Sequence, residues 1–372
     1  MNFGFSEEQD LLRSEVRRFL DERCPLAEVR RLSQTENGYC EKLWEELASM
    51  GWLGLIIPEA YGGAGLGWID LVVVLEEMGR TLFPSPFMTN TLAADALVAF
   101  GSEAQKQRWL PDLANGTRIA SLAVLEEGDV ISADGTQLLG VKDGDGYLLT
   151  GKKLYVADPE AASLFIVSFR AGDASGDVML ALIDSTEAGV IAKSYPMIDA
   201  TKRMGNLDLE GVRVGAEQLL SGGSAAVTRL LDAGAIAVTA ESSGAVDAAI
   251  QLTAAYARER HQFGEPIGHY QGVKHPLAEM YVDLESFRSL LYYAAWCIES
   301  KPEELARYAS LAKAYGTESF VRTGIDSIQL HGAIGFTTEY DIQLYFKRSK
   351  WARPMFGDAD FHYERALALR GV

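Results

Sequence analysis

Apolar positions recur at helical spacing from the start of the chain. Ser6-Glu7-Glu8-Gln9 reads as a capping box that opens an amphipathic run carrying Leu11, Leu12, Val16, Phe19 and Leu20. Residues 41–50 predict a short helix stopped by Gly51, and residues 69–78 a strongly apolar one. Between them, Pro58-Glu59-Ala60-Tyr61-Gly62-Gly63-Ala64-Gly65 reads as a loop, because so many glycines destabilise regular structure. Ser102-Glu103-Ala104-Gln105 caps one more helix, which Pro111 interrupts or ends. From about 119 to 218 the period shortens. Residues 147–150, 163–169, 178–183 and 189–192 are β-rich runs, and Asp143-Gly144-Asp145-Gly146 is a hairpin turn. From about 222 the pattern is helical again: an alanine-rich run over 227–259 stopped by Gly264 and Pro266, then 276–299, 302–331 and a last segment from about Asp360. The pattern predicts an α+β multidomain chain. It has an N-terminal helical domain (1–118), a compact central β-domain (119–218) and a C-terminal bundle-like helical domain (222–372).

Composition narrows the class. The 372 residues are 48% hydrophobic and 23% charged, enough to bury a large core or two to three domains. There is no run of 18 or more apolar residues, so no membrane span is expected. The first ten residues carry acidic groups where a secretory or mitochondrial leader would carry basic ones, which sets the expectation of no such leader. Cys24, Cys40 and Cys297 lie far apart in neither a metal nor a disulfide pattern, and a reducing cytoplasm is expected. A formal net charge of −18 counts against nucleic-acid binding. A nucleotide cofactor stays open, since a local arginine or a helix N-terminus can hold a pyrophosphate.

Three stretches carry more. The first is Ile57-Pro58-Glu59-Ala60-Tyr61-Gly62-Gly63-Ala64-Gly65-Leu66. The second is Tyr256-Ala257-Arg258-Glu259-Arg260-His261-Gln262-Phe263-Gly264-Glu265-Pro266-Ile267, followed by Gln271, His275 and Ala278-Glu279-Met280. The third is Ile328-Gln329-Leu330-His331-Gly332-Ala333-Ile334-Gly335-Phe336-Thr337-Thr338-Glu339-Tyr340. Taken as chemistry alone, Arg260 is either a surface cation favoured at a helix C-terminus or a guanidinium fork for phosphate oxygens. Phe263 is either packing or a ring for a ligand, and Gln271 offers a hydrogen bond just past the helix stop. The glycines at 332 and 335 allow close backbone approach. His331 has no second histidine or carboxylate at ligand spacing, so it reads as a packing or interface residue and no metal site is expected.

In this order and spacing, the three stretches resemble the acyl-CoA dehydrogenase family over nearly the whole chain. The second is similar to that family's Tyr…Arg-x-x-Phe-Gly-x-Pro-Ile…Gln…Met signature, and the third to its Gln-x-x-Gly-Gly-x-Gly-Phe-x-x-Glu segment. The resemblance implies a small barrel for the central β-domain and a four-helix bundle for the C-terminal domain, with FAD as cofactor and an acyl-CoA thioester as substrate. It implies that Arg260 contacts the FAD pyrophosphate, often of a neighbouring subunit, and that Phe263 lies over the ribityl or adenine part. Gln271, Gln329, Gly332 and Ala333 complete the implied cofactor set, with the last segment holding the adenosine end across a dimer interface. Ala333 replaces a frequent glycine. The implied chemistry is α,β-dehydrogenation, in which a glutamate removes the α-proton and the β-hydrogen leaves as hydride to flavin N5. The thioester carbonyl must be polarised and the base must have a raised pKa.

Neither of the family's two base positions holds a carboxylate. In Arg353-Pro354-Met355-Phe356-Gly357-Asp358-Ala359-Asp360, Phe356 stands where the loop glutamate belongs. The alternative position, 26 residues before Arg260, is Gly234, and the next residue, Ala235, replaces an arginine expected to help hold CoA. The flavin-framing Thr-Glu-Pro-x-x-Gly-Ser-Asp loop appears as Leu125-Glu126-Glu127-Gly128-Asp129, and the later Trp-Ile-Thr/Ser element as Tyr155-Val156-Ala157. A flavin-bonding hydroxyl is therefore missing at Ala157. Glu241, two turns after Gly234 on the same helix face but about 10 Å along it, is a candidate substitute base. Asp358 and Asp360 read as caps of the last helix. Similar Phe-Gly-Asp-Ala-Asp segments occur in actinobacterial members, including partner subunits of steroid-degrading α2β2 enzymes, in which one chain carries the base and the other completes the cofactor site. The implied function is FAD-dependent α,β-dehydrogenation of an acyl-CoA in lipid metabolism, with steroid catabolism as one setting. The chain is expected to act as one subunit of a homo- or heterotetramer with a related acyl-CoA dehydrogenase subunit. The alternative is a non-catalytic scaffold subunit of such an assembly.

Overall fold

The structure, a computed structural model, describes residues 5–128 and 130–371. Six helices come first: α1 (Glu7–Arg23), α2 (Leu26–Ser33), α3 (Glu41–Ser49), α4 (Trp68–Arg80), α5 (Phe87–Phe100) and α6 (Glu103–Ala114). Eight strands follow: β1 (Ala120–Ala123), β2 (Leu139–Asp143), β3 (Gly146–Ala157), β4 (Leu164–Ala171), β5 (Val178–Asp184), β6 (Val190–Tyr195), β7 (Met204–Val214) and β8 (Leu219–Leu220). The chain then runs through α7 (Gly223–Glu259), a two-stranded hairpin of β9 (His261–Gln262) and β10 (Glu265–Pro266), α8 (Gln271–Ser300), α9 (Pro302–His331), α10 (Ile342–Ala352) and α11 (Ala359–Ala368). No described helix is long and apolar enough to cross a membrane.

The helix starts read from local chemistry are in place. Ser6 and Ser102 each accept from the backbone N–H three residues on, with Gln9 and Gln105 returning the bond. Pro111 does not end α6, which continues to Ala114 and forgoes only the bond that residue 111 would have donated to Gln107. Pro276 likewise lies inside α8, which begins five residues before it. The sequence pattern does not predict α2, α5 or α10. Residues 87–97 of α5 are all buried, so the helix has no apolar stripe to reveal its period.

The chain forms two compact units: Met1–Arg31 with Trp68–Phe83 and Asp232–Val372, and Leu32–Gly67 with Pro84–Leu231. The second unit contains the sheet, ordered β6-β7-β3-β2-β4-β5-β8 with β1 parallel to β4. No pairing among the described strands joins β6 to β8, so the small barrel that the resemblance implies is an open sheet. Its core is the usual alternating inner face, including Leu149, Phe165, Val167, Phe169, Ile183, Leu207 and Leu209.

In the first unit, α4 and α7 touch backbone to backbone. A Cβ on Gly79 would lie 2.6 Å from the Glu241 Cα and closer still to its carbonyl oxygen. A Cβ on Gly244 would lie 2.8 Å from the Arg80 amide nitrogen and would overlap the Glu76 carbonyl. Around this crossing α4 buries two carboxylates. Glu76 is held by Arg13, Arg288, Ser243 and Tyr292, and Glu77 by Arg13, Arg17 and Arg80. Each charge has several donors, the condition under which buried carboxylates are tolerated. Helix propensity alone would make Gly79→Ala stabilising by about 1 kcal/mol. The missing space reverses the sign: we expect a net loss of about 1–3 kcal/mol, read as a lower Tm. A Tm at or above that of the unmodified chain would show that the two helices separate at little cost.

Candidate cofactor and acyl site

The second signature stretch forms the end of α7, the β9–β10 hairpin and the start of α8. The hairpin turns on Phe263 (φ +55°) and Gly264 (φ +88°), the left-handed pair that a two-residue turn requires. Glycine takes this conformation freely, whereas a phenylalanine is strained there. Phe263 is nonetheless 93% exposed. The Arg260 carbonyl accepts from Ile267 N–H at 2.7 Å, closing the loop, while the Arg260 guanidinium is exposed and has no ion pair or hydrogen bond among the described residues. Gln271 is the exposed first residue of α8, at a helix N-terminus where unsatisfied N–H groups favour anions.

The third stretch ends α9. Gln329, Gly332 and Ala333 are exposed, and Gly332 has φ +65° with nothing within 4 Å of the point where a Cβ would stand. One aromatic stack joins the two signatures. His331 lies 4.5 Å from the Tyr256 ring and 4.9 Å from Tyr340. Its Nδ1 donates to the Ser327 carbonyl at 2.7 Å, and burial lowers its pKa, which keeps the ring neutral. The histidine is a packing residue, one of the two readings its sequence context allowed. The structure thus gathers Arg260, Phe263, Gln271, Gln329, Gly332 and Ala333 onto the surface of one unit, but encloses none of them.

Gly234 and Phe356, where the resemblance leads one to expect a base, are also adjacent. A Cβ on Gly234 would lie 2.5 Å from Cδ1 and 2.6 Å from Cζ of the Phe356 ring. Phe356 therefore fills the space next to residue 234. Glu241 is two turns away and engaged elsewhere: its Oε2 lies 3.3 Å from Nη1 of Arg348, itself buried and bonded to the Leu82 carbonyl at 3.3 Å. Asp358 caps α11, accepting from Phe361 N–H at 3.0 Å.

In the other unit, Glu126 organises the loop that follows β1. One oxygen accepts from Gln137 N–H (3.0 Å), from Leu138 N–H (3.1 Å) and from Nζ of Lys153. Burial pushes Lys153 down to about 8, against the pull of Glu126. Glu127 is exposed, and Asp129 lies outside the described residues. Tyr155 is exposed with φ +53°, and the Ala157 carbonyl accepts from Ser121 Oγ at 2.6 Å. The glycine-rich stretch at 57–66 is a turn closed by its own backbone bonds, Ala64 N–H to Gly54 and Gly65 N–H to Ile57, both 2.9 Å.

Comparison with known proteins gives the family. Residues 6–117 match the model of the acyl-CoA dehydrogenase N-terminal domain, and residues 221–368 that of the C-terminal domain. The chain is 31% identical over 353 residues to the acyl-CoA dehydrogenase IpdE2 of Mycolicibacterium smegmatis, covering 95% of each. The chain belongs to the acyl-CoA dehydrogenase family. Among solved structures, the ChsE4-ChsE5 complex of Mycobacterium tuberculosis superposes with a TM-score of 0.92 at 29% identity, covering 100% of this chain and 99% of that one. A variant of the Tcur3481-Tcur3483 steroid ACAD superposes at 0.90 with 32% identity, covering 98% of each.

FAD is the cofactor of this family. The Arg260 guanidinium, unpaired among the described residues, the exposed Phe263 ring, whose ring contact is the edge of Tyr270 at 6.3 Å, and the open glycine at 332 suit a phosphate-bearing, flat-ringed group that approaches from outside the unit. Sequence reasoning missed two basic groups beside the base positions, Lys313 and His362. The signal was available for Lys313, which lies on the stripe Ala309, Lys313, Gly316, Phe320 that faces the core. Burial brings its ammonium down to about 7. Burial, with the charge of Lys313 second, pushes His362 down to about 3; Arg365 also lowers it, while the Phe356 carbonyl and Asp358 act the other way.

The His362 shift predicts a pH effect. Its folded-state pKa lies below the ordinary 6.5, so its contribution to stability is complete above pH 6.5 and is lost as pH falls toward 3. A His362→Gln variant would keep a side-chain donor but not titrate. The Tm advantage of the unmodified chain over His362→Gln should shrink between pH 6.5 and 4; a gap that stays constant would show that His362 is not held neutral in the fold.

Proposed function

We propose that this chain serves as one subunit of an oligomeric FAD-dependent acyl-CoA dehydrogenase, in which a related subunit supplies the catalytic base. One observation carries the reading. The signature read as cofactor-binding is kept except at Ala333 and is exposed, whereas the two positions read as those of the base hold a glycine and a ring packed on one another. Bound FAD would accept the hydride from the β-carbon. The roles of this chain would be to hold phosphate oxygens through Arg260, to cover part of the cofactor with Phe263, and to bond it through Gln271, Gln329 and the backbone at Gly332 and Ala333. Glu241 is read as a structural ion pair, because moving its carboxylate would leave Arg348 buried with one partner fewer.

Two similar solved structures, a two-chain complex and a steroid ACAD, support a heterotetramer and a steroid-type acyl-CoA as the substrate class. The wide spacing of Cys24, Cys40 and Cys297 along the chain suits a reducing cytoplasm. A scaffold subunit with no cofactor contact is the second reading; it is favoured only by the absence of a carboxylate at 234 and 356, and it leaves the exposure of Arg260 and Phe263 without a purpose.

The test is expression alone and then with each related family subunit from the same source, measuring FAD per tetramer and acyl-CoA-dependent dye reduction. We expect activity only in a mixed assembly. One FAD per subunit and ordinary acyl-CoA oxidation by the chain alone would sink the proposal. Within the active assembly, Arg260→Ala should weaken FAD retention ten- to hundred-fold, about 1.5–3 kcal/mol for one charge-assisted contact, and leave Tm nearly unchanged. Unaltered FAD affinity would remove Arg260 from the cofactor set.

A further inference from the structure

The loop between α10 and α11 is fastened by buried basic side chains. Lys313, fully buried on α9, donates through Nζ to the carbonyls of Arg353 (2.9 Å) and Gly357 (2.7 Å). His362, buried on α11, has Nε2 at 2.9 Å from the Phe356 carbonyl, which can only accept, so that nitrogen carries the proton. Its Nδ1 then accepts from Ser310 Oγ at 3.2 Å. Arg365 donates to the same Ser310 at 3.3 Å and pairs with Asp232, two residues before Gly234 on α7. Three carbonyls of one short loop are thus held by side chains from two helices, and α11 is tied in turn to α7.

The loop needs this hold. Phe356 has φ +56°, a conformation that a bulky side chain adopts only when its surroundings impose it, and Gly357 follows at +101°. The strained residue places its ring where the side chain of residue 234 would otherwise be. We propose that Lys313 and His362 are positioning residues that fasten Phe356 over Gly234 as a fixed stopper, closing in this chain the space that a catalytic carboxylate would use. What that space would otherwise hold rests on the function proposed above; the closure rests on this chain's own atoms. Gly234 and Phe356 are then one change and not two, because a side chain at 234 and the ring at 356 exclude each other.

The experiment has two arms, both on the full chain in whatever assembly it purifies. Thermal unfolding of Gly234→Ala, Phe356→Leu and the double variant tests mutual exclusion. Gly234→Ala alone should lower Tm by several degrees, and the double variant should lose clearly less than the two single losses added. Additive losses, or a double variant that fails to fold where Phe356→Leu folds, would overturn the pairing. Hydrogen–deuterium exchange over residues 354–358 tests the fastening. Lys313→Met and His362→Ala should each speed exchange there ten-fold or more while α8 is unchanged, and His362→Gln, which keeps a donor, should restore most of the protection. Unchanged loop exchange in both variants, or no difference between alanine and glutamine at 362, would overturn it. Neither arm needs a partner or a cofactor. A lone chain that oxidised acyl-CoA would therefore refute the proposed function, whereas additive Tm losses would refute the stopper.

Discussion

α7 packs by having almost no side chain where its neighbours touch it. Gly244 admits the backbone of α4, Gly234 admits the ring of Phe356, and Thr239 meets the bare Cα of Gly316 on α9. Close approach of this kind leaves no room for adjustment, since interiors are packed to crystal-like density. It also fixes where polar groups must go. With the helix backbones in contact, the carboxylates of Glu76, Glu77 and Glu241 cannot reach solvent and must find cations inside the unit. The arginines at 13, 17, 80 and 348 are consequences of that geometry as much as causes of stability. Buried pairs of this sort contribute little net energy, but removing one partner is expensive.

The same helix separates what is fixed inside the unit from what is exposed on it. A side chain at 234 would need open space beside it, and the ring of Phe356 occupies that space. The exposed residues around Arg260 and Gln329 carry no such coupling. They are held by the β9–β10 turn and by the Tyr256–His331–Tyr340 stack, neither of which involves Phe356. Interior and surface features of one bundle can therefore diverge independently, because the bonds that position them are different bonds.

What was legible in the sequence follows the range of the interaction concerned. Ser6, Ser102 and Asp358 cap their helices as the local pattern says, because a cap is decided within four residues. The hairpin at Phe263-Gly264 was visible as a helix stop for the same reason. Closure of the sheet was not legible, since it depends on pairing between strands far apart in the chain, and here it does not occur. Helix α5 was missed because burial on every side erases the period that identifies a helix. In the site, motif spacing located the exposed set, but it offered Glu241 as a base from face geometry alone. Its partner Arg348 lies on α10, a helix the pattern did not reveal.

Lys313 shows most clearly how the two kinds of information combine. From sequence it is a lysine between two alanines on a core-facing stripe, which by itself says only that a charge is buried. A buried ammonium must find acceptors or lose its proton. Helix α9 supplies one long contact itself, to Thr317 Oγ1 at 3.4 Å. The two shorter bonds go to irregular backbone, whose carbonyls lack helical partners. The loop at 353–357 is such a segment, and its residues Phe356 and Gly357 are held at positive φ. The lysine supplies donors to carbonyls that would otherwise be orphaned, and the strained loop supplies the acceptors that make the lysine tolerable. Each is costly alone and satisfied together, so the loop and the helix that faces it depend on one another, and that dependence holds Phe356 in the space beside Gly234.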